Sequence, residues 1–213
     1  ALTIGCTLCL YFSGLGGFDS INYAMAITAT GGFSTYNDST GHFHSALIDY
    51  IAITFMLCSG INFTLMYMAV VKGKVRSLFK DGELRLYLTL VSLATLAIMF
   101  FLIKDVQYDW AYALRCALFQ VVSFITTTGM FNADAGQWPH ITWVILCVCM
   151  FFGACAGSTS GGFKCIRGVM LLKIMRNEFK RIIHPKAVLP VRINGNNVSP
   201  SAQTTLVVFF TLY

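Results

Sequence analysis

Charged side chains are scarce in this 213-residue chain. Asp, Glu, Lys and Arg make up 11% of it, whereas about a quarter of the residues of a soluble globular domain are charged. Hydrophobic residues reach 56%, and the mean hydropathy is +0.69. This balance excludes an ordinary soluble domain. Because a membrane crossing needs roughly 20 apolar residues, the apolar runs at about 46–71, 84–103 and 138–156 predict an all-α polytopic membrane protein.

An initiator Met is also missing, and the last apolar run stops early. Residues 1–15 are apolar from the start, and residues 204–213 look like the opening of a further span. We therefore expect the sequence to be an internal piece of a longer protein, at whose N-terminus no signal peptide can be sought.

Acidic residues are fewer than basic ones, nine against fifteen, and the formal net charge is +6. Thirteen of the fifteen basic residues lie in segments 72–85 and 164–192, which border apolar runs. The positive-inside rule predicts that both segments are cytoplasmic. No nucleic-acid motif accompanies them, so we expect no nucleic-acid partner. Five acids near the predicted outer face either attract cations or are simply solvated: Asp19, Asp38, Asp105, Asp109 and Asp134.

The cysteines and histidines form no recognisable metal or redox motif. The eight Cys fall almost entirely in apolar stretches, where Cys packs as a small hydrophobe. Cys6 and Cys9 imitate one half of a CxxC zinc or redox site, but no second pair follows at the required spacing. His42 and His44 lack an acidic third ligand. We therefore expect no organic cofactor in this chain and no enzyme activity.

Two seven-residue segments of similar sequence lie 98 positions apart. Residues 27–33 read Ile-Thr-Ala-Thr-Gly-Gly-Phe, and residues 125–131 read Ile-Thr-Thr-Thr-Gly-Met-Phe. A Thr-rich turn closed by Gly is typical of a potassium-selectivity filter, where backbone carbonyls line a lumen, Thr hydroxyls add ligands and Gly tolerates strained backbone. An ordinary turn after a helix would not explain the repetition. The predicted filter residues are Thr28, Ala29, Thr30 and Gly31, and Thr126, Thr127, Thr128 and Gly129.

The repetition predicts two tandem units of channel type, each with an outer helix, a pore helix, a filter and an inner helix. The N-terminal repeat, 1–71, lacks the start of its outer helix and has pore helix 18–27, filter 28–32 and inner helix 46–71. The C-terminal repeat, 84–182, has outer helix 84–103, pore helix 111–125, filter 126–130 and inner helix 138–182. Cytoplasmic linkers 72–83 and 183–203 follow the two repeats, and 204–213 opens another.

Small residues interrupt the second inner helix at 157–163, a segment called here the Gly/Ser/Thr loop. Each Gly costs a helix about 1 kcal/mol relative to Ala, so we expect an irregular loop that crosses the pore below the filter as a gate. A phosphate-binding loop would need Lys where Phe163 stands, and the Gly-x-Ser-x-Gly of a nucleophile elbow is absent. A small-residue packing motif stays open as the alternative. The predicted gate residues are Gly157, Ser158, Thr159, Ser160, Gly161, Gly162 and Lys164.

With these features the chain resembles the bacterial Trk-type potassium uptake proteins, of the superfamily that contains TrkH, KtrB and the plant HKT transporters. The likeness covers essentially the whole chain. The motifs that carry it are TATGGFST at 28–35, INFTLMY at 61–67, ALFQVVSFITTTGMF at 117–131, GACAGSTSGGFKCIR at 153–167 and HPKAV at 184–188.

The resemblance implies four non-identical pore repeats, of which this chain would hold the second, the third and the opening of the fourth. It assigns 157–163 as an intramembrane gate, and it implies a homodimer in the lipids of the bacterial inner membrane. It also implies regulation by a cytoplasmic nucleotide-binding subunit of the TrkA type. One difference concerns the filters: Gly32 follows Gly31, whereas Met130 follows Gly129. We expect only the first glycine of the pair to occupy the filter turn.

Potassium uptake, with K⁺ as the transported ion, is therefore the predicted function. The alternative is a secondary transporter with broken helices and a midplane substrate site. Such a transporter normally needs ionisable residues inside its spans, and few are present here. An intramembrane enzyme or a purely structural subunit would leave the repeated loops unexplained.

Overall fold

The computed structural model describes residues 1–73, 78, 81–184, 190–193 and 196–212. In this part of the chain the fold is helical, as predicted, apart from a two-residue antiparallel ladder of β1 (Arg192–Ile193) and β2 (Asn196–Asn197). The helices are α1 Leu2–Phe12, α2 Gly17–Ala29, α3 Ala46–Ser59, α4 Phe63–Val70, α5 Gly82–Asp105, α6 Trp110–Ile125, α7 His140–Phe152, α8 Cys165–Ile183 and α9 Pro200–Leu212, with 3₁₀ turns at Ser39–Phe43 and Ala135–Gln137.

Most of the apolar helices are shorter than a membrane crossing. Among the described residues only α5, with 24 residues, is by itself long and apolar enough to span. The pair α3 and α4 would count as a second span if it is taken together across its bend of 105°. Helices α1, α6 and α7 are apolar but fall short. Short apolar helices of this kind suit pore helices and broken inner helices, which enter the membrane without crossing it in one piece.

Two units with the same element order precede the β ladder and α9. Helices α1 to α4 and α5 to α8 follow the order predicted for the two repeats, an outer helix, a pore helix and an inner helix, with each inner helix divided in two. The pore helix α6 lies at the centre, because α5 and α7 of its own repeat and α3 of the other repeat all pack against it. Small side chains at Ala113, Cys116 and Ala117 are fully buried and allow these close approaches.

The predicted continuous inner helix 46–71 is wrong. Helix α3 ends at Ser59, and α4 starts at Phe63 in a direction that differs by 105°. The break has a local cause, since the Asn62 side chain accepts hydrogen bonds from Thr64 N at 2.8 Å and Leu65 N at 3.4 Å and so caps a new helix. At Gly60 there is no room for a side chain, because a Cβ would lie 2.5 Å from the buried Tyr87 hydroxyl.

The predicted break in the second inner helix is too narrow. Helix α7 ends at Phe152, and α8 begins at Cys165, so the irregular segment runs over 153–164 rather than 157–163. Gly153 ends α7 because it has a φ of 67°, which L side chains rarely adopt. A Cβ there would also lie 2.7 Å from the Gly161 carbonyl oxygen.

Both predicted linkers are shorter in the structure than in the sequence prediction. Asp81 caps α5 through its carboxylate, which accepts from Glu83 N and Leu84 N at 2.9 Å, so the spanning helix begins inside the predicted linker 72–83. In the linker 183–203 the β ladder lies beside α8, where Lys173 Nζ donates to the Arg192 carbonyl at 2.7 Å. Residues 74–77, 79–80, 185–189 and 194–195 of these linkers lie outside the described part.

Candidate ion-conduction site

Two loops follow the C-terminal ends of the pore helices α2 and α6 and share one backbone pattern. In each loop a threonine and the second residue after it have positive φ: 53° and 73° for Thr30 and Gly32, and 54° and 81° for Thr127 and Gly129. The same two backbone hydrogen bonds close both loops. They run from Thr30 to Ile27 and from Gly31 to Ala26 in the first loop, and from Thr127 to Phe124 and from Thr128 to Ser123 in the second.

The structural register of the loops differs by one residue from the register of the sequence repeat. The shared backbone pattern superposes Gly32 on Gly129 and Thr30 on Thr127, although the sequence offset pairs Gly31 with Gly129. Gly31 is not in the left-handed region. The expectation that the first glycine of the pair occupies the turn is therefore wrong. The sequence carries no signal for this shift, because at the reduced offset Phe33 aligns with Met130 and no longer with Phe131.

Gly32 is also the point at which the two loops meet. A Cβ on Gly32 would collide with the carbonyl oxygen of Thr128 in the neighbouring loop. Just beyond the loops, Thr40 Oγ1 donates to the Phe131 carbonyl at 3.1 Å, and Phe131 N donates to Ser39 Oγ at 3.4 Å. The loops of the two repeats are thus direct neighbours.

Three of the predicted threonine ligands point their hydroxyls into the protein. Thr28, which lies with Ala29 in the last turn of α2, donates to the Ala24 carbonyl at 2.8 Å. Thr126 donates to the Val122 carbonyl at 2.7 Å, and it shares a 2.8 Å hydrogen bond with the Thr128 hydroxyl. All three side chains are buried. These hydroxyls help to hold the loops in shape, and their expected role as ion ligands stays a prediction.

The Gly/Ser/Thr loop lies against both pore loops. Thr30 Oγ1 donates to the Thr159 carbonyl at 3.1 Å, and Thr159 Oγ1 donates to the carbonyls of Thr28 at 3.2 Å and Ser59 at 3.3 Å. On the other side, Gly161 N donates to Thr127 Oγ1 at 2.6 Å. The structure therefore brings the predicted gate and the predicted filter residues together.

Inside the Gly/Ser/Thr loop the polar groups satisfy one another. Ser158 Oγ donates to the Cys155 carbonyl at 2.5 Å and shares a 2.8 Å hydrogen bond with Ser160 Oγ. Lys164 Nζ donates to the carbonyl and, at 3.2 Å, to the hydroxyl of the buried Ser160. Gly157 and Gly162 have φ of 71° and 79°. The loop is thus an ordered non-helical segment with two glycine-dependent turns.

Comparison with known proteins decides the family. The chain matches the TrkH family, described as a cation transport protein, over residues 3–213. It is 34% identical over its whole length to the Trk system potassium uptake protein TrkG of Escherichia coli (strain K12) and 38% identical over 93% of its length to TrkH of Salmonella typhimurium. The crystal structure of the potassium transporter TrkH from Vibrio parahaemolyticus superposes with a TM-score of 0.93 at 36% identity, covering 99% of this chain.

The chain belongs to the TrkH family.

The family membership confirms the predicted fold class, a helical membrane protein built from pore-loop repeats. The chain spans less than half the length of these relatives: 44% of TrkG, 41% of Salmonella TrkH and 46% of the Vibrio structure. The named relatives are potassium uptake proteins and not enzymes.

The predicted outer side of this TrkH-family chain carries an ion pair that sequence reasoning did not single out. Arg115 of the pore helix α6 lies 3.4 Å from the Asp49 carboxylate of α3, and Asn132 Nδ2 donates to the same carboxylate at 3.0 Å. Asp49 is buried. Since Asp49 belongs to the N-terminal repeat and the other two to the C-terminal repeat, this cluster ties the repeats together.

Most of the five acids predicted to lie near the outer face have structural partners. Asp109 and Asp134 accept from backbone N–H groups at the starts of α6 and of the second 3₁₀ turn, and Asp19 accepts from Thr35 Oγ1 at 2.8 Å. His42 stacks on Tyr36 with ring centroids 3.9 Å apart, which gives this histidine a packing role. Attraction of cations by these acids remains a prediction.

Proposed function

We propose that the chain is a pore-forming part of a bacterial potassium uptake protein. The observation that carries the proposal is the pair of neighbouring pore loops with one shared left-handed backbone pattern, closed off by an ordered non-helical loop. A left-handed residue reverses the direction of the next carbonyl relative to an extended strand. Such a backbone can present successive carbonyls to one lumen, where they replace the hydration shell of an ion.

The pore helices support a cation rather than an anion at this position. Helices α2 and α6 both end at their loops, so their C-terminal carbonyl ends converge there. The C-terminus of a helix carries roughly half a negative elementary charge, which favours a cation nearby. The transported ion that the named relatives suggest is K⁺. Because the threonine hydroxyls are engaged inside the protein, the ligands in this chain would be backbone carbonyls.

The Gly/Ser/Thr loop fits the role of a gate. Its ties to the pore loops include hydroxyl-mediated hydrogen bonds, which can exchange with water at low cost when the loop moves aside. A midplane substrate site of a secondary transporter would instead need buried ionisable groups facing a cavity. The buried acids of the described residues, Asp49 and Glu83, are both bonded to protein groups.

The complete protein would add what this chain does not contain. By the Trk resemblance, two further repeats complete the pore, a homodimer forms in the inner membrane, and a cytoplasmic nucleotide-binding subunit of the TrkA type controls the gate. The basic segments 72–85 and 164–192 then face the cytoplasm, in keeping with the positive-inside rule. K⁺ is the cargo of this pore, and no organic cofactor is proposed for the chain.

The substitution Gly129→Ser in the full-length protein tests the proposed function. A side chain at Gly129 meets nothing within 4 Å, so it fits, but a φ of 81° strains any L residue and shifts the neighbouring carbonyls. We expect the assembled variant to lose its preference for K⁺ over Na⁺ in bi-ionic flux into proteoliposomes. Wild-type discrimination in this variant would show that residues 126–130 are not a selectivity filter.

A further inference from the structure

Glu83 is a buried acid to which the ion pathway described above assigns no role. It lies in the first turn of α5 and is only 6% exposed. The N-cap residue of α5 holds its backbone in place, because the Asp81 carboxylate accepts from the Glu83 backbone N at 2.9 Å. A buried carboxylate is stable only when its oxygens accept hydrogen bonds. The partners of Glu83 therefore indicate what it is for.

Both partners lie in the segment that carries the Gly/Ser/Thr loop, one on each side of it. Glu83 Oε1 accepts from Ala156 N at 2.6 Å and from Ile166 N at 3.1 Å. Ala156 immediately precedes the loop, and Ile166 is in the first turn of α8, where backbone N–H groups have no partner within the helix. The N-cap residue of α8, Lys164, supplies no side-chain cap. One carboxylate oxygen thus holds both ends of the loop and caps the helix that follows it.

The ends of the loop are further held by backbone hydrogen bonds, whereas its middle is not. Cys155 N donates to the Gly60 carbonyl at 3.1 Å, Cys165 N to Ala154 at 3.0 Å and Phe163 N to Phe151 at 3.1 Å. Between these points, residues 158–161 reach the pore loops through side-chain hydroxyls. The segment therefore has two fixed ends and a more weakly attached middle.

Lys164 links the end of the segment to that middle. It is the N-cap residue of α8, and its ammonium donates to the carbonyl and hydroxyl of Ser160. Replacing Glu83 by Gln would keep one acceptor oxygen for Ala156 N and Ile166 N, whereas Ala would leave both backbone groups without it.

We propose that Glu83 is a positioning residue that clamps the two ends of the Gly/Ser/Thr loop, so that the loop middle closes the pathway in a defined place. The inference rests on the proposed function, since it assumes that the loop is a gate. It goes beyond that function by assigning the gate an anchor on the outer helix of its own repeat. Movement of α5 relative to α7 would then change the position of the gate.

The test compares Glu83→Gln and Glu83→Ala in the full-length protein, reconstituted in proteoliposomes with and without its regulatory subunit. We expect basal K⁺ flux without the regulator to rise several-fold in the Ala variant and less in the Gln variant, which keeps one acceptor oxygen. The K⁺ over Na⁺ ratio should stay at the wild-type value, because the pore loops are intact. A merely structural residue would instead lower flux equally with and without the regulator.

The matched control is Glu178→Gln, since Glu178 is an exposed acid of α8 whose carboxylate pairs with Arg181 at 2.7 Å. Its basal flux without the regulator should equal that of the wild type. Assembled Glu83 variants with wild-type basal flux, or with equally reduced flux in both conditions, would overturn the clamp. If the Ala variant fails to assemble, wild-type basal flux in the Gln variant would also overturn the clamp. Gly129→Ser measured in parallel separates the two proposals, because retained selectivity there contradicts the pore and not the clamp.

Discussion

Gly31 and Gly32 are adjacent in the chain but differ in backbone conformation. Only Gly32 has positive φ, and only there would a Cβ collide with the Thr128 carbonyl of the other loop. At Gly31 a Cβ would make an ordinary 3.5 Å contact with the Phe33 ring. Because a left-handed L residue costs roughly 1–2 kcal/mol before any collision is counted, the two positions should respond differently to the same substitution.

We therefore expect Gly32→Ala to abolish the preference for K⁺ over Na⁺ and Gly31→Ala to retain most of it. Each variant is the control for the other, since the chemical change is identical and the positions are neighbours. Bi-ionic flux through the full-length protein is the measurement. Loss of selectivity in Gly31→Ala with retention in Gly32→Ala would support the sequence register and contradict the structural one.

At the level of single residues, the sequence identified the segments that form the pore loops. It did not predict the backbone conformation or the side-chain direction of individual residues within them. The Thr/Gly segments identified both pore loops. The sequence does not show, however, which of Gly31 and Gly32 has positive φ, or that the Thr126 hydroxyl points into the protein. Both depend on the φ angles that the loop adopts after the helix ends. Glu83 was missed because an acid before an apolar run looks like an ordinary helix start, and its partners are 73 and 83 positions away.

At the scale of elements, the type of each helix was predictable and the continuity of the inner helices was not. Pore helices predicted at 18–27 and 111–125 are found at Gly17–Ala29 and Trp110–Ile125. The bend after Ser59 was missed, since the segment 46–71 is apolar throughout and a single Gly is tolerated in many helices. The chain at this break is hydrogen-bonded to the other repeat, because Phe63 N donates to the Gly157 carbonyl at 3.1 Å. A contact between distant elements therefore adds to the local Asn62 cap at this boundary.

The contact between the Gly/Ser/Thr loop and the pore loops gives an element-scale prediction. Thr159→Val keeps the side-chain shape but removes the hydroxyl that donates to the Thr28 and Ser59 carbonyls. A neutral hydrogen bond contributes about 1 kcal/mol, so the closed position should be weakened by roughly five- to tenfold relative to the open one. We expect basal K⁺ flux to rise accordingly while selectivity is unchanged.

Thr89→Val is the control for this change. The Thr89 hydroxyl is exposed on α5 and donates to the Arg85 carbonyl of its own helix at 2.7 Å, so its loss should leave flux unaltered. Proteoliposome flux without the regulator reports both variants. If Thr159→Val conducts like the wild type, the Thr159 hydroxyl does not stabilise the closed loop.

At the scale of the whole molecule, the chain spans less than half the length of the curated relatives it matches. In the function proposed above, further repeats complete the lumen that its two pore loops face. The resemblance to the Trk-type family implied these further repeats, whereas the composition predicted only a polytopic membrane protein. The cytoplasmic side was predicted from basic residues alone, and Lys186 among them lies outside the described residues.

Helix α8 offers the last test, because it extends from the gate toward the predicted cytoplasmic side. Its residues Arg176, Lys180 and Arg181 are exposed, although Arg181 pairs with Glu178 at 2.7 Å. Each basic residue near an anionic surface is worth about 1 kcal/mol. Changing all three to Gln in the full-length protein should therefore weaken co-purification of the regulatory subunit by at least tenfold and make its effect on K⁺ flux smaller.

The control is the single change Lys104→Gln. Lys104 lies in the last turn of α5, which faces the outer side in the predicted orientation and is out of reach of a cytoplasmic subunit. It should co-purify the regulator like the wild type. Reconstitution in vesicles with and without anionic lipid distinguishes the two possible partners of α8, since a lipid contact would make flux depend on vesicle charge in the wild type only. Unchanged regulator binding together with unchanged lipid dependence in the triple variant would leave these charges with a topological role alone, because the positive-inside rule requires their presence and no specific contact.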